Sequence, residues 1–279
     1  MATGVLRSFG VGASVARGAL AWIRRDPHAS ALERTNFHGR TVTLAGGPAL
    51  ALGASAGAAL GARDVRTSAA AITAGVVSGA VGLYDDVAGN RPEQKALKGF
   101  AGHLGALREG QVTSGLVKIA GVGAAGLVAS ALIGSRRTGF LGRTTDVLLG
   151  AGVIAGMANV VNLLDLRPGR AIKAGVAIGA PLALGRGGGV AAGTLGASAA
   201  LLPDDLGEEI MLGDAGANSL GALLGVALVT RTGTAGRFLA LAGLAALTAA
   251  SEKVSFTKVI NDTPWLRHVD ELGRRPPSA

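Results

Sequence analysis

Three short stretches carry side chains whose types and spacing could do chemistry. The first is Asp85-Asp86, which directly follows the apolar run TSAAAITAGVVSGAVGLY. Adjacent carboxylates at the end of a membrane helix are expensive to place and must be hydrated, paired or bound to metal. Such a pair can hold Mg²⁺ or take a proton from an attacking group. Lys95, Lys98, Arg108 and, near the start of the next apolar run, Lys118 follow the pair. Carboxylates followed by cations suggest a site that handles a divalent cation together with phosphate.

The second stretch is Asn159, Asn162 and Asp165, three residues apart, so that on a helix they drift about 60° per step and form one polar stripe. Helix-to-helix hydrogen bonding is the structural alternative for such a stripe. Arg167 and Arg170 flank the Pro168-Gly169 turn beyond it and suit a diphosphate or a neighbouring carboxylate. The third is Asp214 between Gly213 and Gly216, where the next apolar helix begins. A carboxylate there could hold a metal while free helix N–H groups address phosphate, or it could simply cap the helix. Ahead of Asp214, the residues Asp204, Asp205, Glu208 and Glu209 read as a solvated acidic loop. Asn36, His38 and Arg40, near the start, read as an ordinary basic loop that could also touch phosphate.

The elements that must position these residues are apolar. The chain has 279 residues, 49% hydrophobic and 16% charged, and its mean hydropathy is +0.43. Soluble domains average about 25% charged residues, so the composition points to a bilayer. Its 46 glycines suit close helix packing in lipid. There is no cysteine, which excludes disulfides and thiolate metal sites. The net charge of +9 lies in loops between apolar runs and is read as membrane topology, with nucleic acid excluded as a partner.

On the ruler of roughly 20 residues per span, nine candidates fall at about 4–22, 43–62, 67–84, 115–134, 145–163, 170–185, 187–203, 216–230 and 236–252. The expected fold is therefore an all-α, polytopic membrane helix bundle of about nine spans, forming one domain over residues 1–279. The first run is taken as a retained span. With the amino terminus outside, most of the 27 Lys and Arg residues fall inside, as the positive-inside rule requires. All three polar stretches then face the cytoplasm. The tail after Glu252, amphipathic and basic with Trp265, is expected on the membrane surface.

Taken in order, Asp85-Asp86, Asn159-x-x-Asn162-x-x-Asp165 and Gly213-Asp214-Ala215-Gly216 resemble the motifs of the polyprenyl-phosphate N-acetylhexosamine-1-phosphate transferase superfamily. Asn36-Phe37-His38-Gly39-Arg40 with the later Gly46-Gly47 pair also looks like that family's early cytoplasmic loop. The resemblance covers most of the chain. It implies transfer of a sugar-1-phosphate from a UDP-sugar to a polyprenyl phosphate, with release of UMP, in cell-envelope polymer synthesis. By the same resemblance Asp214 binds Mg²⁺, and Asp85, Asp86 and Asp165 are the catalytic candidates. Asn159 and Asn162 join Asp165 in placing the nucleotide, and Arg167 and Arg170 hold diphosphate; read from their position after the aspartate pair, Lys95, Lys98 and Lys118 are the further substrate contacts. A homodimer in the cell membrane is implied as well.

The departures are specific. Asp165 is followed by Leu-Arg-Pro-Gly-Arg where the family usually has a second acid, and Gly89 stands where the pentapeptide translocase has a lysine. That enzyme's histidine cluster has no match beyond His268, and nine spans are expected here where the family has ten. They motivate two rivals. One is a scaffold that binds lipid phosphate or nucleotide sugar without turnover. The other is a small-solute transporter, which the one-sided clustering disfavours.

Overall fold

The computed structural model describes residues 2–89, 105, 111–135, 137–185 and 187–275. Helices dominate: α1 Ala2–Arg24, α2 Gly46–Gly61, α3 Val65–Ala88, α4 Ser114–Ile133, α5 Phe140–Leu164, α6 Arg170–Ala183, α7 Gly189–Leu206, α8 Gly213–Arg231, α9 Thr234–Ser251, α10 Phe256–Asp262 and α11 Pro264–Glu271. The all-α expectation is met, with one small addition. Strands β1 (Glu33–Thr35) and β2 (Thr41–Thr43) pair antiparallel, Glu33 opposite Thr43, and present residues 36–40 as the hairpin tip.

Nine of the helices coincide with the nine expected stretches, but among the described residues only α3, α4, α5 and α9 are long and apolar enough to cross a membrane by themselves. The shortfall has visible causes. Helices α2 and α6 have 16 and 14 residues, below the length of a simple span. Helix α8 is buried along nearly its whole length, from Ala215 through Ala227, so it need not present apolar residues to lipid and can carry Asn218 and Ser219. Large apolar side chains are exposed instead on α4, α5 and α9, among them Leu127, Leu148, Phe238 and Leu239.

Glycine makes the packing possible. A Cβ on Gly193 of α7 would lie 2.0 Å from the carbonyl carbon of Gly57 in α2, and one on Gly12 of α1 would lie 2.1 Å from the Gly193 oxygen. Helices α1, α2 and α7 therefore meet backbone to backbone, as small-residue interfaces in membranes do. Helix α3 relaxes into one π-helical turn at Thr73–Val77, where Gly75 lies directly beneath the Ser55 hydroxyl of α2. The same helix runs one turn further than the expected 67–84 and carries Asp85 and Asp86 on its last turn.

Candidate functional site

The end of α3 and the starts of α4 and α8 meet at one end of the bundle. Thr113 caps α4 by accepting the Leu116 N–H (3.2 Å), and Lys118 lies one turn inside that helix. Its Nζ is 2.6 Å from Asp85 Oδ2 and 2.5 Å from Asp214 Oδ2. Asp85 also reaches the Ser114 hydroxyl and the Asp214 carboxyl. Two carboxylates from different helices thus converge on a single cationic point.

Asp86 does something different from its neighbour. Its two carboxylate oxygens accept the backbone N–H groups of Asp214 and Ala215, each at 3.0 Å. It therefore caps α8 from another helix, satisfying donors that have no intrahelical partner and meeting the positive end of the dipole. Gly213 makes the approach feasible. Its φ is +57°, and a Cβ there would lie 2.9 Å from both Asp86 oxygens. On the other side, a Cβ on Gly82 would lie 2.4 Å from the Asp214 carbonyl oxygen. Arg34, from β1, donates to the Asp86 carbonyl (3.2 Å). A cavity of ≈ 560 Å³ opens here, lined by Arg34, Thr35, Asp85, Asp86, Gly89 and Gly213 among others.

Asp165 stands at the end of α5, where it receives the Gly213 N–H and lies close enough to Asp86, Asp205 and Asp214 to feel their charges. It lines a second cavity of ≈ 210 Å³ with Asn36, Phe37, Arg167, Asp205 and Glu208. Thr35 and Met211 border both cavities. The Arg167 guanidinium stacks 4.1 Å over the Phe37 ring, a cation–π contact.

Two of the expected nucleotide and diphosphate contacts, Asn159 and Arg170, have their side chains engaged with other helices. Asn159 is exposed and donates to Thr248 Oγ1 of α9 (3.0 Å), the helix-to-helix use of a polar stripe. Six residues ahead of Asp165, it sits about 9 Å further along the axis. Asn162 contributes its carbonyl to the turn, accepting the Asp165 N–H at 3.1 Å. Arg170 is buried, with Nε and Nη2 bound to the Asp270 carboxylate (2.8 and 2.9 Å) and Nη1 to Thr257 (2.8 Å). All three of its nitrogens hold α10 and α11 onto the bundle, whereas Arg167 lines the second cavity. Lys95 and Lys98 lie outside the described residues.

Asp270 is outside the spans. Burial would raise its pKa, but hydrogen bonds from Arg170 and Arg274 prevail and hold the carboxyl below its usual range. The expected surface tail is therefore clamped at Asp270, while Trp265 remains exposed.

The acidic loop ahead of Asp214 is not simply solvated. Asp204 pairs with Arg17 of α1, and buried Asp205 accepts the Gly169 N–H at 3.0 Å. Glu208 is buried and, alone among the described non-glycine residues, has a positive φ, 55°. It accepts from Asn36 Nδ2 (2.5 Å), His38 Nδ1 (3.0 Å) and Arg40 (3.3 Å). Burial opposes its ionisation, yet these partners outweigh it and keep the carboxyl below its usual range. The hairpin tip is thus latched by Glu208, which in the sequence reads as part of a solvated acidic loop. Asn36, His38 and Arg40 are three hydrogen-bond donors within five residues, and such a cluster calls for an acceptor.

Among the described residues no three His, Asp or Glu side chains form a ready metal cage. The hard-oxygen pair of Asp85 and Asp214, already gathered around one cation, is the set that suits Mg²⁺, which is commonly held by one or two carboxylates with phosphate and water completing its shell. No protein-family model matches the chain, and no curated protein matches it.

Proposed function

We propose that the protein is a Mg²⁺-dependent membrane transferase that moves a sugar-1-phosphate, N-acetylhexosamine-1-phosphate by the motif resemblance, from a UDP-sugar to a polyprenyl phosphate. The observation that carries this reading is the convergence of Asp85 and Asp214 on the Lys118 ammonium, beside a polar cavity at one end of an apolar bundle. Phosphoryl transfer needs mainly alignment and neutralised charge. An oxygen of the lipid phosphate attacks the β-phosphorus of the nucleotide sugar. The bond from that phosphorus to the oxygen bridging the two phosphates breaks, and UMP leaves with the electron pair.

In this reading Asp85 and Asp214 hold Mg²⁺, which when bound neutralises diphosphate charge. Lys118, released from the carboxylates, contacts a phosphate oxygen. Asp86 keeps Asp214 and the free N–H groups of α8 in place. Arg34 and Arg167 border the two cavities as further phosphate contacts, and Asp165 faces the nucleotide side. The bundle spans the cell membrane nine times with this end toward the cytoplasm, in line with the basic-residue bias. A second reading, a scaffold that binds substrate without turnover, draws on the engagement of Arg170 with Asp270 and the outward position of Asn159.

The test is UMP release by the detergent-purified protein supplied with polyprenyl phosphate, a panel of UDP-N-acetylhexosamines and Mg²⁺. Release that requires all three, and that drops at least about 100-fold in Asp214→Asn, is expected. Substrate binding without UMP from any donor, with the fold intact, would favour the scaffold. Equal turnover by Asp214→Asn would remove Asp214 from the metal site.

A further inference from the structure

Another arginine-lined cavity lies at the other end of the bundle. Its wall is built by the α2–α3 connection, the last residues of α4 and α8 and the first of α7, and it encloses ≈ 570 Å³. Arg63, Asp64, Thr67, Arg231, Thr232 and Arg237 supply its polar lining. The stretch of α3 from Val65 to Asp85 separates it from the acid cluster by about 30 Å, so it is no part of that site.

Three arginines border this one space, Arg63 from the α2–α3 connection, Arg231 from the end of α8 and Arg237 from the first turn of α9, and the acids beside them are already committed. Asp64 caps α3, its two oxygens accepting the Thr67 N–H (2.8 Å) and hydroxyl (2.9 Å). Asp146, buried, pairs with Arg237 at 3.0 Å. Arg237 also donates to the carbonyls of Asp146 and Val229, which fixes it in the cavity wall. Arg231 is pinned by one terminal nitrogen to the carbonyls of Leu182 (2.5 Å) and Leu184 (2.7 Å). These contacts alone are what helix ends ask of arginine.

Arg63 breaks that pattern. It makes no hydrogen bond or ion pair among the described residues, although it lines the same cavity. At the rim, Gly134 (φ +80°) and Gly187 (φ +81°) leave open space: a Cβ at either would meet nothing within 4 Å. The result is an accessible, polar chamber with two guanidinium groups held in place and, among the described residues, a third, Arg63, that makes no ion pair.

We infer that this chamber is an anion site for a phosphate group, carried either by a free phosphate or diphosphate or by the headgroup of an anionic lipid. Guanidinium forks match phosphate oxygens in geometry, and at the edge of an apolar bundle their charge is less screened than in water. The volume exceeds what a single small ion needs, which favours a diphosphate or a glycerophosphate headgroup.

The test uses the 279-residue protein and Arg63→Glu, a change at an exposed position in the α2–α3 connection, outside the helix packing. Lys118→Ala serves as the control for anion binding at the acid-cluster end. In neutral detergent, inorganic diphosphate is titrated calorimetrically; in nanodiscs, phosphatidylglycerol retention is compared with phosphatidylcholine by native mass spectrometry. The expected result is that at least one probe shows a binding component that weakens about tenfold or more in Arg63→Glu and persists in Lys118→Ala. Diphosphate binding identifies a free-phosphate site, and selective retention of phosphatidylglycerol identifies a headgroup site. If neither probe depends on Arg63, or if the dependence follows Lys118, the inference is overturned. Arg63-dependent binding would stand even if no transferase activity were found.

Discussion

Replacing Gly213 by alanine tests the linkage between Asp86 and the start of α8. Two costs follow from the geometry. An L-residue at φ +57° pays about 1 kcal/mol for the left-handed backbone. The added Cβ would lie 2.9 Å from both Asp86 oxygens and 2.7 Å from Cδ2 of Leu44, which is buried and has little room to yield. The carboxylate must then withdraw from the N–H groups of Asp214 and Ala215. Two hydrogen bonds to a charged group, at about 1.5 kcal/mol each, are lost. Together these come to about 4 kcal/mol, or roughly a thousandfold increase in local opening. Hydrogen exchange at the amides of Asp214 and Ala215 reads that opening directly, with thermal unfolding in detergent alongside. Asp86→Ala removes the acceptor but spares the backbone, so its effect should be smaller, about 3 kcal/mol. Wild-type protection and an unchanged melting temperature in Gly213→Ala would refute the capping geometry.

Asp270→Ala leaves Arg170 charged and buried without its partner, a loss of about 3 kcal/mol or more, and limited proteolysis should then cut within α10–α11. The same clamp has a defined pH range. Because the folded pKa of Asp270 is depressed below 3.8, its contribution is complete at neutral pH and disappears only as pH falls through the lower folded value. Protease resistance of the tail that declined already between pH 7 and 5 would contradict this sign. Gly193→Val forces a side chain into the Gly57 backbone, which cannot step aside, so α1, α2 and α7 must separate and the melting temperature should fall by several degrees; an unchanged melting curve would show that the helices do not meet there.

Sequence by itself determined the helical class and the place of the main helices. Apolar runs bounded by charges are local, additive signals, and the bilayer length rule reads them directly. It also singled out Asp85, Asp86, Lys118, Asp165 and Asp214, because charges next to long apolar runs demand partners wherever the chain folds. What it left open is how those partners are shared, since that depends on which helices touch. Adjacent Asp85 and Asp86 look equivalent in the chain, yet successive positions on a helix point about 100° apart. One therefore meets Lys118 and the other the amides of α8. Arg167 and Arg170 look like a pair, but the turn sends one to Phe37 and buries the other on Asp270, 100 residues away. Glu208 looked like one acid among four, and only the return of the β1–β2 hairpin to its side gave it three donors. Long-range contacts of this kind carry no local signature, because the partner of each charge is chosen by the packing of helices distant in the chain and not by its neighbours in sequence.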